Sequence, residues 1–153
     1  MARKELRKET IVLQLAMLLI ILTLIGCANV RLISDYDEKT DSAITAFQKE
    51  METFLTSLER NAGKDQAKYE NNVKFYDEAK VELSAIRVRA EAIPYNTITV
   101  QQIDLLVDNV NKLEQLHKIG MTADDIKPLR TAFNVSCTAI LKLEIAKKRG
   151  ETK

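Results

Sequence analysis

ITAFQKEMETFLTSL, residues 44–58, decides the fold class. Its apolar residues Ile44, Phe47, Met51, Phe54 and Leu58 recur at intervals of 3, 4, 3 and 4. A side chain returns to the same face of an α-helix every 3.6 residues. This spacing therefore draws one continuous apolar stripe along a helix, with Gln48, Lys49, Glu50 and Glu52 turned away from it. A strand would need alternation at every second residue, and the stretch has none. The helix is predicted from about Asp37 to Asn61, with Gly63 marking its end.

The same pattern repeats along the chain. Tyr69, Val73, Tyr76, Ala79, Leu83, Ile86, Ala90 and Ile93 predict a second helix over about 65–92, stopped by Pro94. Ile103, Leu106, Val110, Leu113, Leu116 and His117 stripe a third, with Thr99 and Gln102 placed as a capping box and Gly120 as the residue just past its end. Leu129, Phe133, Cys137, Ile140 and Leu141 line a fourth. Pro128 lacks a backbone N–H and suits only a first turn. The expectation is thus a short turn near 122–126 and a long helix from about Lys127. Lys147, Lys148 and Arg149 close that helix, where cations complement the carbonyl end of the dipole. Four long amphipathic helices with short connections make an antiparallel bundle, each helix roughly 30–40 Å long.

Composition agrees with an all-α fold. In 153 residues there are four Gly and two Pro, too few turn residues for a β-sandwich or barrel. Charged residues make up 29% and hydrophobic residues 46%, which excludes both a disordered chain and a multi-pass membrane protein. A formal net charge of +1, with no basic stripe, argues against nucleic acid as a partner.

Residues 1–30 differ from the rest. Arg3, Lys4, Arg7 and Lys8 precede IVLQLAMLLIILTLI, residues 11–25, which is apolar except for Gln14 and Thr23. A basic head followed by an apolar run of this length is a secretory signal pattern. Leu24-Ile25-Gly26-Cys27 then resembles the lipobox of bacterial lipoproteins. The resemblance implies cleavage between Gly26 and Cys27, acylation of the Cys27 thiol (palmitate among the acyl groups), and Cys27 as the first residue of the finished protein. Ala28, where enteric-type lipoproteins retained in the inner membrane carry Asp, favours the outer membrane facing the periplasm in a Gram-negative source. The rest of the chain is similar to small all-helical bacterial envelope proteins of unassigned activity.

The expected organisation is a signal peptide over 1–26, a lipidated tether over 27–36 and a bundle domain over 37–150. The alternative is a signal anchor, with residues 11–28 kept as a membrane span. Removing residues 1–26 takes four of the 23 Lys/Arg and two of the 22 Asp/Glu, leaving 19 and 20. Cys137 is then left as a free thiol. Were Cys27 not lipidated, a Cys27–Cys137 bridge would come into play.

Motifs for chemistry are sparse. His117 is the single histidine, and Glu114-Gln115-Leu116-His117 matches one Glu-x-x-His element of a di-iron bundle. Such sites need two of these elements, so a second histidine is required. Cys-x-x-Cys-His is absent; a b-type haem could pair His117 with Met51 or Met121, but mid-helix Met51 and His117 at the end of the third helix mismatch in level in an up-down bundle, and haem is not expected. The expected role of His117 is structural, with the partly buried imidazole bonding a carbonyl. Met51 is expected in the core, and Cys137 as an inert buried thiol. No catalytic serine motif or phosphate-cradling glycine loop is present. Asp35-Tyr36-Asp37-Glu38 lacks the spacing of a calcium loop and suits a helix N-terminus instead. Tyr36 and Tyr95 fall outside the stripes and are candidates for a contact surface.

The functional expectation is a membrane-anchored lipoprotein whose bundle binds another envelope component, a protein or polymer, in scaffolding, exclusion or immunity. No catalysis, cofactor or metal is expected. A small-ligand or cofactor carrier is the alternative.

Overall fold

The computed structural model describes residues 33–151, together with Gln14, Ala16 and Met17 near the N-terminus. Gly26 and Cys27, the expected cleavage and lipidation residues, lie outside the described residues. Residues 33–151 form an all-helical unit with no strand among them. Its helices are α1 (Glu38–Arg60), α2 (Val73–Glu91), α3 (Thr97–Ile119) and α4 (Ala123–Glu151).

Each helix packs on its two neighbours around a square: α1 on α2, α2 on α3, α3 on α4, and α4 back on α1. Cross-helix bonds fix the directions. Arg89 near the end of α2 and Glu144 near the end of α4 both reach Asp37 at the start of α1. Arg130 near the start of α4 reaches Glu59 near the end of α1. The bundle is therefore antiparallel throughout. One end, the 37/90/97/147 end, holds the start of α1. The other, the 60/73/119/123 end, holds its finish.

The stripes read from sequence fill the interior. Ile44, Phe47, Met51, Leu83, Ile103, Leu106, Val110, Leu113 and Ile140 are each at most 1% exposed. Full burial of such a side chain contributes roughly 1.5–3 kcal/mol, so this stripe-to-stripe packing is the main stabilising term. Leu55 also enters the core between Met51 and Leu58, widening the stripe of α1.

Asp37 caps α1, in keeping with the acidic stretch around it. Its carboxylate accepts from the Thr40 backbone N–H at 3.2 Å, and Glu38 and Asp41 occupy the first turn. Arg89, the larger influence, and Thr40 together hold the Asp37 carboxyl down to about 2. Gly63 and Gly120, predicted to end α1 and α3, have φ of 76° and 110°. L side chains seldom adopt that region.

Three boundaries differ from the sequence expectation, each for a local reason. α2 begins at Val73, and residues 65–71 form two 3₁₀ turns, Asp65–Ala67 and Tyr69–Asn71. The side-chain amide of Asn71 donates to the Asp65 carbonyl at 2.7 Å, and that of Asn72 to Gln66 and Lys68. Such local side-chain bonds compete with the helical ladder. α3 starts at Thr97 and not at a Thr99–Gln102 box, because the Thr99 hydroxyl is buried and bonded to Glu144 and Lys147 across the bundle. α4 runs unbroken through Pro128. Asp125 reaches back to Thr122 at the start of this helix. The Asp125 carboxylate accepts from the Thr122 N–H at 2.8 Å and from its hydroxyl at 2.7 Å. Pro128 and Asp124, whose carbonyl loses its helical N–H partner, are both exposed residues, where water can serve in its place.

Candidate functional site

Two polar clusters interrupt the apolar interior, one at each end. At the 60/73/119/123 end, His117 lies 5% exposed on α3. Its Nε2 is 2.7 Å from the Ala67 carbonyl, and its Nδ1 is 2.7 Å from the Tyr76 hydroxyl. A carbonyl only accepts, so Nε2 carries the proton and Nδ1 accepts from Tyr76. The bond from His117 to a carbonyl is the one anticipated, made to the 3₁₀ turn between α1 and α2. Phe54, Tyr69 and Tyr76 surround it, and Phe75 packs on Phe54 and Tyr76. Phe54 and Phe75 stack at 3.6 Å, and Tyr69 stands edge-on to the imidazole at 5.9 Å. Burial pushes the Tyr76 hydroxyl far above the usual phenol range, with the Glu114 charge adding to it.

Glu114 is 8% exposed beside this aromatic cluster. It accepts from Lys80 at 2.5 Å, from Lys118 at 3.0 Å and from the Tyr69 hydroxyl at 2.9 Å. The bond from Lys80, then those from Lys118 and Tyr69, hold its carboxyl down to about 2 against the opposing effect of burial. Glu114 and His117 are thus brought to one end but turned to different partners: Lys80, Lys118 and the Tyr69 phenol for the first, the Tyr76 phenol and the Ala67 carbonyl for the second. Among the described residues no group of three or more His, Cys, Asp or Glu side chains converges as metal ligands. An open recess of about 320 Å³ beside His117 is lined chiefly by Lys64, Lys68, Tyr69, Lys118 and Met121. Met51 is buried within the apolar core of α1.

At the 37/90/97/147 end, Glu144 and Lys147 form an ion pair at 0% and 3% exposure. Lys147 also donates to Asn96 Oδ1 at 2.7 Å and Thr99 Oγ1 at 2.8 Å, which uses all three ammonium protons. The second oxygen of Glu144 accepts from the Asp37 N–H at 3.1 Å. Asn96 Oδ1 takes a further bond from Ser34 Oγ at 2.8 Å, and its amide donates to the Ala90 carbonyl at 2.9 Å. The Ser34 N–H donates to the Tyr95 carbonyl at 3.0 Å. Residues 33–36, the last four of the expected tether, and Asp37 are thereby held against α2, α3 and α4.

Sequence reasoning places Lys147 among solvated dipole partners. The structure buries it. The missed signal is spacing: Cys137, Ile140, Glu144 and Lys147 continue the core stripe of α4 at intervals of 3, 4 and 3. A charge pair on a core stripe is an inward-facing pair. Every buried side-chain nitrogen and oxygen among the described residues has a hydrogen-bond partner. Cys137 is buried on the same stripe, and desolvation pushes its thiol up to about 11, so it is not a reactive thiolate near neutral pH.

The outer surface carries the remaining features. On α2, Val81 and Val88 are 70% and 62% exposed and share a shallow apolar groove of about 590 Å³ with Ser84, Ala85, Ala92 and Ile93. On α4, Val135 lies in a similar groove with Thr131, Thr138 and Ala139. Tyr95 is 63% exposed with φ of 60°. Tyr36 is occupied locally. Its hydroxyl donates to Asp41 at 2.8 Å, the interaction that does most to raise its pKa to about 12, and Lys148 sits 4.8 Å above its ring. No helix of the described residues is long and apolar enough to cross a membrane. Searches of protein families, curated proteins and solved structures find no match to the chain.

Proposed function

We propose that this chain is a bacterial lipoprotein, cut after Gly26 and acylated on Cys27. On this reading its helical bundle binds another envelope component and performs no catalysis. The leader and lipobox support the anchoring. Ala28 favours an outer-membrane, periplasm-facing position in a Gram-negative source. The binding reading is carried by one observation: α2 leaves a largely apolar face in water, with Val81 and Val88 beside Ser84, Ala85, Ala92 and Ile93 and with Arg89 at its edge. A scaffolding, exclusion or immunity role would use such a face.

The carrier alternative would use the recess beside His117. It is the weaker reading, because both imidazole nitrogens and the Glu114 oxygens already have partners within the chain.

A photo-reactive side chain at Val88 of the full chain, in its own membranes, tests the binding reading. The expected product is one discrete cross-linked species, lost on adding Val81→Glu and absent when the reactive group replaces exposed Lys112. Cross-linking equal from positions 88 and 112, or unaffected by Val81→Glu, would remove α2 as the binding face.

A further inference from the structure

At the 37/90/97/147 end, Ile33, Tyr95 and Ile98 come together as an exposed apolar tip. They are 40%, 63% and 47% exposed, and line one seam with Asn96, Thr99, Leu143 and Lys147 that has no room for a water molecule. The tip is built on the buried network beneath it. The Ser34 N–H on the Tyr95 carbonyl and the Ser34 hydroxyl on Asn96 fix residue 33 beside Tyr95 and the start of α3. Tyr95 adopts φ of 60°, a region that a bulky L residue rarely occupies. Tyr95, in the loop before α3, and Ile98, in the first turn of α3, both stay in water although the molecule has an apolar interior a few residues away.

Chain length identifies what covers this tip. Ile33 is the sixth residue after Cys27, and six residues span at most roughly 22 Å however they are arranged. A chain acylated at Cys27 therefore cannot carry Ile33 farther than that from the level of the lipid headgroups. Tyrosine with aliphatic neighbours suits that level, with the ring body apolar and the hydroxyl wet. Charges of both signs lie at this end, Lys39, Arg89 and Lys148 with Asp37, Glu38 and Asp41, and Arg89 is paired with Asp37, so attraction to anionic lipid is not what the surface is built for.

We propose that Ile33, Tyr95 and Ile98 form a docking tip that seats in the headgroup layer of the membrane carrying the protein. The bundle then stands on its 37/90/97/147 end, with the His117 end farthest from the lipid. The proposal rests on the lipid-anchor reading for the argument from chain length, while the tip itself can be tested separately.

The chain contains no tryptophan, so Tyr95→Trp introduces a single reporter at the tip. Ile119→Trp, at an 82% exposed position, reports from the opposite end of α3, roughly 33 Å away at 1.5 Å per residue. Each full-length variant is purified from its own membranes and weighed intact. It is then placed in phosphatidylcholine vesicles with or without lipid brominated near the headgroup. The tip reporter is expected to be blue-shifted relative to the urea-unfolded chain. It should be quenched about two-fold more than the distal reporter, as an interfacial aromatic would be. Adding Ile98→Asp should abolish the difference, and raising salt should not.

An acylated protein in which the two reporters are quenched equally would overturn the docking tip and leave the anchor standing. A tip signal that grows with protein density in the vesicle, without bromine dependence, would make the tip a contact between copies and likewise overturn it. An unacylated chain whose tip reporter is still selectively quenched would sustain the tip and refute the lipobox reading. An unacylated and unquenched chain would refute both.

Discussion

Replacing Lys147 with Met retains most of the side-chain volume but removes a charge that three acceptors share. Glu144, 0% exposed, would keep the Thr99 hydroxyl and the Asp37 N–H but lose its counter-ion. Removing one member of a buried ion pair typically costs about 3–5 kcal/mol, because the charge left behind is neither solvated nor paired. For a folded unit of this size each kcal/mol lowers Tm by about 4 °C, so Lys147→Met should melt roughly 12–20 °C below the parent. Glu144→Gln with Lys147→Met removes both charges and should recover most of that loss, since apolar or neutral replacements of buried pairs are often close to neutral. Far-UV circular dichroism of the full chain in detergent gives the melting curves. Hydrogen exchange at Ser34 and Asp37 locates the damage, because both N–H groups are bonded at this end. A single variant that melts within about 4 °C of the parent, a shift worth only about 1 kcal/mol, would refute the burial assigned to Lys147. So would a double variant no better than the single one.

Glu82 offers a pH test. Burial, then the nearby Glu50 charge, raise its carboxyl to about 7, above its unfolded value of about 4.5. The folded chain thus holds a proton that the unfolded chain releases, so stability is full below about 4.5 and falls as pH rises through about 7. The group is only half-buried, and screening limits the effect to about 1–2 kcal/mol. Urea midpoints at pH 5 and pH 8 should converge in Glu82→Gln. Tyr76→Phe leaves His117 Nδ1 without its donor and should cost about 1–3 kcal/mol in urea unfolding; a neutral result would refute the pairing. Cys137 should resist a thiol reagent in the folded protein and react only on unfolding, so stoichiometric labelling of the native chain would contradict its burial.

What is legible in the sequence follows from which forces act locally. The stripe of α1 is readable apart from Leu55, because Ile44, Phe47, Met51, Phe54 and Leu58 are all buried and burial is what their spacing encodes. The start of α2 lies eight residues beyond the expected one, at 73 in place of 65. Apolar periodicity through Tyr69 is visible in the sequence, whereas the competing carbonyl bonds of Asn71 and Asn72 are not. Thr99 looks like a cap because caps are recognised by residue type, yet its hydroxyl serves a network built from distant segments. His117 does fall at a helix end on the seam. Its partner Tyr76 and the neighbouring cluster of Glu114, Lys80 and Lys118 depend on tertiary approach, which no local pattern carries. The buried Glu144–Lys147 pair is within reach of the sequence, since both residues fall on the α4 stripe. Their charge reads as a sign of the surface and masks that position.

The anchoring of the chain is the claim from which binding face, orientation and docking tip take their meaning, and one measurement addresses it. Intact mass of the protein purified from its own membranes should equal Cys27 through Lys153 plus acyl chains. A full-length, unmodified mass beginning at Met1 would contradict the account and make residues 11–28 the anchor. It would also return Cys27 as a candidate partner for Cys137.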